Sequence, residues 1–433
     1  MTSAGSEIWR PEDDHNLDAL ATSLQETGTQ DVYKPEILDA IEATINALSD
    51  ELREVSLSIH SHPELKFEEK HAHDVLTLFM SMHGFNVQKH FHMPTAWQAI
   101  YKRGTGGRTV GINSEMDALP GIGHACGHNL IAISGVGVAC AIKAVMERFD
   151  ISGTILVLGT PAEEGGYGKA TLLEKGAYKQ MDACLMCHPA PGPRSSVSLS
   201  GSLALVQYRV EYFGHSAHAA LSPWEGKNAL DAAVLAYNNI SVLRQQVRPT
   251  HRIHGIFQGN DWAPNIIPDN ANMHWLVRAP SLAEARATAD RVVACFEAAA
   301  LASGCEVKIN EIKPPCYELR QNKALGDALA DIVKSRYGYI DYEYGIANAS
   351  TDFGQVGYAL PSLHPGFSIP TVENGGNHTV AFTQSARSLE AHKACLQVTK
   401  ALAGLGVRIL ADEEFLMKVR DSFEEDKKLH GHV

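Results

Sequence analysis

Positive charge is scarce in this chain of 433 residues: 37 Lys and Arg stand against 50 Asp and Glu, a formal net charge of −13. That shortage argues against a nucleic-acid partner, which demands clustered basic residues, and against an anionic membrane surface. The substrate stays open, because a local pocket can be basic on an acidic protein. Long hydrophobic runs are missing too. A membrane span needs about 18 consecutive apolar residues, and the best run, from Leu130 to Ile142, is too short and too rich in small residues. The opening stretch, MTSAGSEIWRPEDDHNLDAL onwards, is polar and lacks the apolar core of a signal peptide. The eight cysteines are scattered, with no secretory spacing. A reducing, cytoplasmic setting with free thiols and no membrane association is the expectation. Internal repeats and low-complexity tracts are also absent.

What is present fits a globular chain, 45% hydrophobic and 20% charged, too long for one ordinary core. Residues 1–33 are expected to be poorly ordered. From Pro35, apolar residues recur every three or four positions (Ile37, Ile41, Ile45, Leu48, Leu52, Val55, Ile59), which predicts a helix. A second helix is predicted near Glu69–His83. Strands follow near Phe85–His92, Trp97–Lys102, Thr109–Asn113, Thr154–Thr160 and Met181–Cys187, and another near Ser362–Phe367. Interleaved helices include the small, apolar one after Asn129, one over Asn322–Tyr337 and a long one from about His378 to Gly404. This alternation predicts an α/β fold, a mostly parallel sheet with helices on both faces. Residues 201–313 break the pattern. Their order of strand, helix, two strands, helix and strand is that of an inserted ferredoxin-like α+β domain. Residues 34–200 and 314–433 would then form one catalytic domain. The tail from Ala411 is expected to be a charged surface helix, with His430 and His432 solvated.

Chemistry-bearing residues cluster at the predicted strand ends. SEMDALPGIGHACGHN supplies Asp117, His124, Cys126 and His128 on a glycine-rich turn after a strand, where open α/β sheets place their sites. TPAEEGG carries Glu163 and Glu164, CHPAPGP carries His188, and NGGNHT carries His378. A thiolate, three imidazoles and a carboxylate exceed the three ligands of one catalytic zinc, which points to a two-metal site. Of two adjacent glutamates, one can coordinate while its neighbour deprotonates a water. Taken singly, each residue has a bland explanation: a Glu-Glu pair is commonly just solvated, and a histidine after a strand is commonly hydrogen-bonded structure. Cys184 and Cys187 form a C-x-x-C, but in an apolar run without a second pair they read as core thiols.

The succession MDALP, HACGH, PAEEG, CHP, FGHSAHAA with SPWEGKNALDA, PNIIPD, LVRAP, STDF and GGNHT resembles the dinuclear metallopeptidases and amidohydrolases of the aminoacylase and glutamate-carboxypeptidase type. Its Cys-Gly-His form resembles the branch with indole-acetyl-amino-acid amidohydrolases and aminobenzoyl-glutamate hydrolases, and DALPGIGHACGHNLIA the dipeptidase-like members that act on β-alanyl or related dipeptides. The resemblance spans about residues 36–405. It implies two divalent metal ions per subunit (zinc or manganese, with cobalt or nickel as options) held by Cys126, His128, Glu164, His188 and His378. It implies Glu163 as general base and then acid, and Asp117 as the residue orienting a ligand. His218 matches a histidine that reaches across a dimer, through the inserted domain, to the substrate's carbonyl oxygen. Asn265 and Arg278 match substrate contacts, Arg278 as partner of a carboxylate. The implied reaction is hydrolysis of the amide bond of a small N-acyl amino acid or dipeptide by a metal-activated water. A non-peptide amide or ureido substrate, a catalytically silent metal-binding regulator and a thiol-based zinc-storage or redox protein are the rivals. Two departures stand out: Asn129 where many relatives have Asp, and Glu115 where the amidohydrolase branch usually has Asp. No role follows for His124 or Asp352.

Overall fold

The computed structural model describes residues 8–10, 33–259, 261–342 and 344–430. Most of the expected loose N-terminal segment, and the side chains of His430 and His432, lie outside that set. The chain divides into two compact units. The first takes the described residues of Met1–Gly201 with Arg320–Ala347 and Gln355–Val433; the second takes Ser202–Leu319 with Asn348–Gly354.

The first unit is built on a six-stranded sheet. Its spatial order is Asn86–Lys89, Trp97–Arg103, Gly153–Thr160, Arg108–Glu115, Ala183–Leu185 and Ser362–Leu363. The three pairings around Arg108–Glu115 and Ala183–Leu185 are parallel, while the first two strands join antiparallel. A mostly parallel sheet is expected, and the antiparallel join of the first two strands has a simple cause: only a short connection separates Lys89 from Trp97, and no crossover helix fits in it. From Val110 onward the Arg108–Glu115 strand is buried at every position, as expected of a strand covered on both faces.

Three helices form the adjoining core: Pro35–Ser61, His128–Phe149 and Leu389–Ala411. The last two are long and apolar enough to cross a membrane by length and composition, although no unbroken run in the sequence suggests it. Both are instead largely buried in the protein core. Close packing explains the small residues. A Cβ on Gly135 would stand 2.8 Å from the Asn113 carbonyl oxygen and 2.9 Å from Ser114 Cβ, so glycine lets the helix lie directly on the strand that leads into the turn.

Three expectations need correction. The long helix after His378 is two helices, Val380–Ala386 and Leu389–Ala411. Ser388 breaks it by starting a new helix, its hydroxyl accepting from the Ala391 amide. The strand near Met181–Cys187 is shorter, Ala183–Leu185, and His188 opens a separate strand, His188–Ala190. The strand near Ser362–Phe367 likewise splits into Ser362–Leu363 and Gly366–Ser368, which belong to different sheets. Pro365, which has no N–H to give, sits in that gap. The second pieces join a small four-stranded sheet ordered Tyr339–Asp341, Ser196–Ser198, Gly366–Ser368 and His188–Ala190. The charged C-terminal helix, Glu413–His430, does form, and it buries Phe415, Leu416 and Val419.

The second unit has four strands ordered Glu306–Cys316, Ala204–Phe213, Asn270–Ala279 and Arg252–Gln258, all antiparallel, with helices Ala229–Leu243 and Leu282–Ser303. In order of sequence the strands stand 4-1-3-2 across the sheet, the arrangement expected of the ferredoxin-like pattern. The segment Asn348–Gly354, which carries Asp352, groups with this unit.

Candidate functional site

The turn after Arg108–Glu115 carries the first ligand candidates. Gly127 stands there with φ +77°, and a Cβ on it would be 2.5 Å from Pro189 Cγ. Glycine is therefore needed both for the left-handed backbone and for the close approach of the His188 strand. The result sets Cys126 just before, and His128 at the first position of, the His128–Phe149 helix. Cys126 Sγ lies 3.3 Å from His188 Nε2. His188 Nδ1 donates to the carbonyl of Pro189 at 2.8 Å. A carbonyl can only accept, so that bond fixes the tautomer and leaves the Nε2 lone pair facing the cluster.

Glu163 and Glu164 begin a four-residue helical turn, Glu163–Gly166, past the Gly153–Thr160 strand. Asp117, 1% exposed, organises it. Its Oδ1 accepts from the Glu163 amide at 3.1 Å and its Oδ2 from the Glu164 amide at 2.9 Å. The same Oδ1 lies 3.2 Å from His128 Nδ1. His378 is tied in through its backbone, its amide donating to the Ala125 carbonyl at 2.8 Å. Its half-exposed ring sets Nε2 3.1 Å from Glu164 Oε1.

Donor atoms of these residues converge. Cys126, His128 and His188 form one set; Cys126, Glu164 and His378 a second; His128, Glu163 and Glu164 a third, with donor atoms in each within 4.8 Å of one another. Cys126 belongs to the first two sets, so one sulfur is placed to serve two centres. The electrostatics agree with a cation site. Burial pushes the His188 ring down to about 4, keeping it a neutral donor near pH 7. Burial, with Glu164 nearby, pushes the Cys126 thiol up, so the sulfur becomes a thiolate ligand only with a compensating positive charge. For His128 burial works downward, but the Asp117 bond and the contact with Cys126 outweigh it and hold that ring well above its usual range. Burial likewise opposes ionisation of Glu164, yet His378 and His128 bring it to about 2. Thiol, imidazoles and carboxylate together are a donor set that suits zinc-like divalent metals.

All five expected ligands, with Glu163 and Asp117, are therefore brought together. His218, Asn265 and Arg278 lie in the second unit and are not gathered at one place within it. His218, exposed, accepts through Nδ1 from the Ala220 and Leu221 amides and bridges to Ile266, next to Asn265. Arg278 stands towards the far end of the Asn270–Ala279 strand, donating to Ser350 Oγ at 2.6 Å. His124 is buried, its basicity lowered to about 3 chiefly by burial, with its ring 6.0 Å from that of His60. Cys184 and Cys187 are free and buried, core thiols as expected.

Two buried residues were missed by sequence reasoning. Lys169, wholly buried, places Nζ 2.6 Å from Glu115 Oε1, and Glu115 Oε2 lies 3.5 Å from His128 Nε2. Burial opposes a charged Glu115, but Lys169 above all, then His128, brings it to about 2. Glu69, also fully buried, bonds the amide of Ala162 immediately before the glutamate pair. Nothing in the spacing of either residue flagged it. The unusual Glu115 was the one available signal, since a longer carboxylate in an apolar strand calls for a buried partner.

Residues 111–402 match the description of peptidase family M20/M25/M40. The chain is 39% identical over 398 residues to the Xaa-Arg dipeptidase of Homo sapiens, covering 88% of this chain and 90% of that protein. It is 26% identical over 474 residues to one of the subunits of the p-aminobenzoyl-glutamate hydrolase of Escherichia coli (strain K12), covering 92% and 95%. A Bacillus subtilis crystal structure, described as a dinuclear metal binding peptidase, shares the fold with a TM-score of 0.66 at 20% identity, over 84% of this chain and 99% of that one.

Proposed function

This chain belongs to peptidase family M20/M25/M40, and from that premise we propose that it is a metal-dependent hydrolase of the amide bond in a dipeptide or N-acyl amino acid. The observation that carries the reading is the convergence of Cys126, His128, Glu164, His188 and His378 around overlapping donor sets, with Glu163 beside them. We assign those five as the ligands of two divalent ions; the sulfur favours zinc, and the mixed imidazole and carboxylate set also suits manganese. Such ions supply Lewis-acid activation of a water and of the amide carbonyl. Glu163 takes the proton of the attacking water and delivers it to the departing amine nitrogen. Asp117 holds the backbone of both glutamates, so the base stays aimed while its carboxylate changes charge. Because the human relative is named for dipeptides ending in arginine, a dipeptide with a basic C-terminal residue is the substrate class proposed first.

A homodimer completes the reading. His218 lies beyond the Asn270 end of the Asn270–Ala279 strand and Arg278 eight residues further along it. At about 3.3 Å per residue that is roughly 26 Å, too far for one small dipeptide to touch both from a single copy. A second copy supplying His218 removes the conflict. The edge strand Arg252–Gln258, with Ile256 57% exposed and Phe257 38% exposed, is a face suited to such pairing. A cytoplasmic setting is proposed with it, supported by eight free cysteines.

The test is a panel of dipeptides ending in Arg or Lys, β-alanyl dipeptides, N-acyl amino acids and ureido acids, assayed with Zn²⁺ or Mn²⁺ and after chelation. Glu163→Gln should lower kcat by roughly 10²–10⁴-fold at unchanged metal content; wild-type turnover in that variant refutes the assignment. Mixing inactive Glu163→Gln and His218→Ala chains should restore activity through hybrid sites. No recovery after demonstrated subunit exchange overturns the dimer.

A further inference from the structure

The turn that presents Glu163 and Glu164 is held in an unfavourable backbone shape. Ala162, just before them, has φ +59°, and Phe67, far away in sequence, has φ +65°. Left-handed backbone is disfavoured at a residue with a side chain and persists only where the surroundings enforce it. One atom serves both strained positions. Glu69 Oε1 accepts from the Phe67 amide at 3.0 Å and from the Ala162 amide at 2.8 Å. Its Oε2 accepts from the Thr95 hydroxyl at 2.6 Å. Glu69 is 0% exposed, as is Ala162.

A plainer use for this carboxylate would be to cap its own helix, because Glu69 occupies the N-cap position of Lys70–Met82. It makes no such bond. Glu64 does that work, accepting from the His71 amide at 2.8 Å and the Ala72 amide at 3.1 Å. Glu69 is thereby left to reach Ala162. Three successive amides, those of Ala162, Glu163 and Glu164, are then directed onto two buried carboxylates, Glu69 and Asp117.

We propose that Glu69 is a positioning residue for the glutamate pair, its Oε1 holding Ala162 in the left-handed turn that aims Glu163 at the reacting water and Glu164 at the metal cluster. The inference rests on the hydrolase reading above for the role of Glu163. The position of Glu164 as a donor can be read without any substrate.

Three variants at one position make the test. Glu69→Gln keeps a carbonyl oxygen for both amides and turns its NH₂ towards Thr95. Glu69→Asp is one methylene short, and Glu69→Ala has no acceptor. Zn²⁺ affinity is measured by competition with a chromophoric chelator, kcat and KM on the best panel substrate, and folding by thermal melting. For Asp and Ala the expected result is a kcat lower by roughly 10–100-fold, the scale of about 1 Å of misplacement. KM should stay within about threefold, and Zn²⁺ binding should weaken by about 10–100-fold. Gln should stay within about threefold of wild type in every measurement. The proposal is overturned if folded Asp or Ala chains keep wild-type kcat and Zn²⁺ affinity, or if Gln is as impaired as they are. Should Glu69→Ala not fold, the contrast between Asp and Gln decides. A wild-type chain that hydrolyses nothing refutes the hydrolase reading alone, because the Zn²⁺ series still judges Glu69.

Discussion

Replacing Lys169 by methionine leaves Glu115 as a carboxylate with no exposed surface and no ammonium beside it. At 2.6 Å and an effective dielectric of about 20, the lost attraction is about 6 kcal/mol before any relaxation. Measured losses on breaking a buried pair run at about 3–5 kcal/mol, because the remaining charge is stranded. Methionine fills nearly the same volume, so little of the cost comes from a cavity. Two units need not unfold together, and a local reading suits the question better than a global melt. Amide hydrogen exchange in the Arg108–Glu115 strand supplies it. A loss of about 3–5 kcal/mol corresponds to exchange roughly 10²–10⁴-fold faster, with strands of the second unit unchanged. The double variant Glu115→Gln/Lys169→Met should recover most of that protection, since neither charge of the pair is left stranded. Exchange within about threefold of wild type in Lys169→Met, or no recovery in the double variant, would refute the view that this pair is held by mutual charge.

Two further outcomes can be checked directly. Cys126→Ser replaces the one soft donor shared by two sets with a hydroxyl, and Zn²⁺ affinity measured by chelator competition should fall by more than about 10²-fold while the fold is kept. Unchanged affinity would place the sulfur outside the metal shell. His392, bonded to Ser49 Oγ at 3.2 Å, is lowered from 6.5 to about 4 by burial and then by Arg53. Between those two values the unfolded chain binds a proton that the folded chain does not, so stability falls as pH drops from about 6.5 to about 4, with a slope of up to about 1.4 kcal/mol per pH unit. His392→Gln should remove that part of the acid slope in urea titrations. An unchanged slope would count against a neutral buried ring.

How much of the molecule was readable beforehand depended on the range over which each feature is decided. The 3.6-residue spacing of Ile37, Ile41 and Ile45 is local, and the Pro35–Ser61 helix follows from it. The change of pattern near Ser200 is also a local signal, and it announced the second sheet. The split of His188 from Ala183–Leu185 was not readable, because it depends on Pro365 in a chain segment far downstream pausing the ladder. Nor was the break at Ser388, since a serine inside an apolar periodic run reads equally well as an exposed helix position until its hydroxyl is seen to accept from Ala391. For the site, the ligand types were legible because metals demand particular donors. Of the residues that aim those donors, Asp117 was legible through the resemblance, whereas Glu69 was not, since any buried acceptor of suitable reach can hold an amide.

The same distinction explains why Glu115 is informative. A buried carboxylate beside the donor cluster cannot stand alone, so its presence in the strand calls for a buried partner. Lys169 lies at the second position of the Gly168–Glu174 helix, just past the turn that carries the two glutamates. The carboxylate of Glu115 therefore binds the far end of that turn, as Glu69 binds its start and Asp117 its middle. Three acids, Glu115 and Asp117 at and just past the end of one strand and Glu69 from elsewhere in the first unit, thus fix one eight-residue stretch from Ala162 to Lys169. The departure at position 115 keeps the charge and lengthens the reach by one methylene, and the longer carboxylate meets Lys169 at 2.6 Å. A Glu115→Asp substitution that restores the more usual residue should then weaken the contact with Lys169 and loosen that stretch, seen as faster amide hydrogen exchange over residues 163–169 with every metal donor in place; exchange there equal to wild type would refute the link.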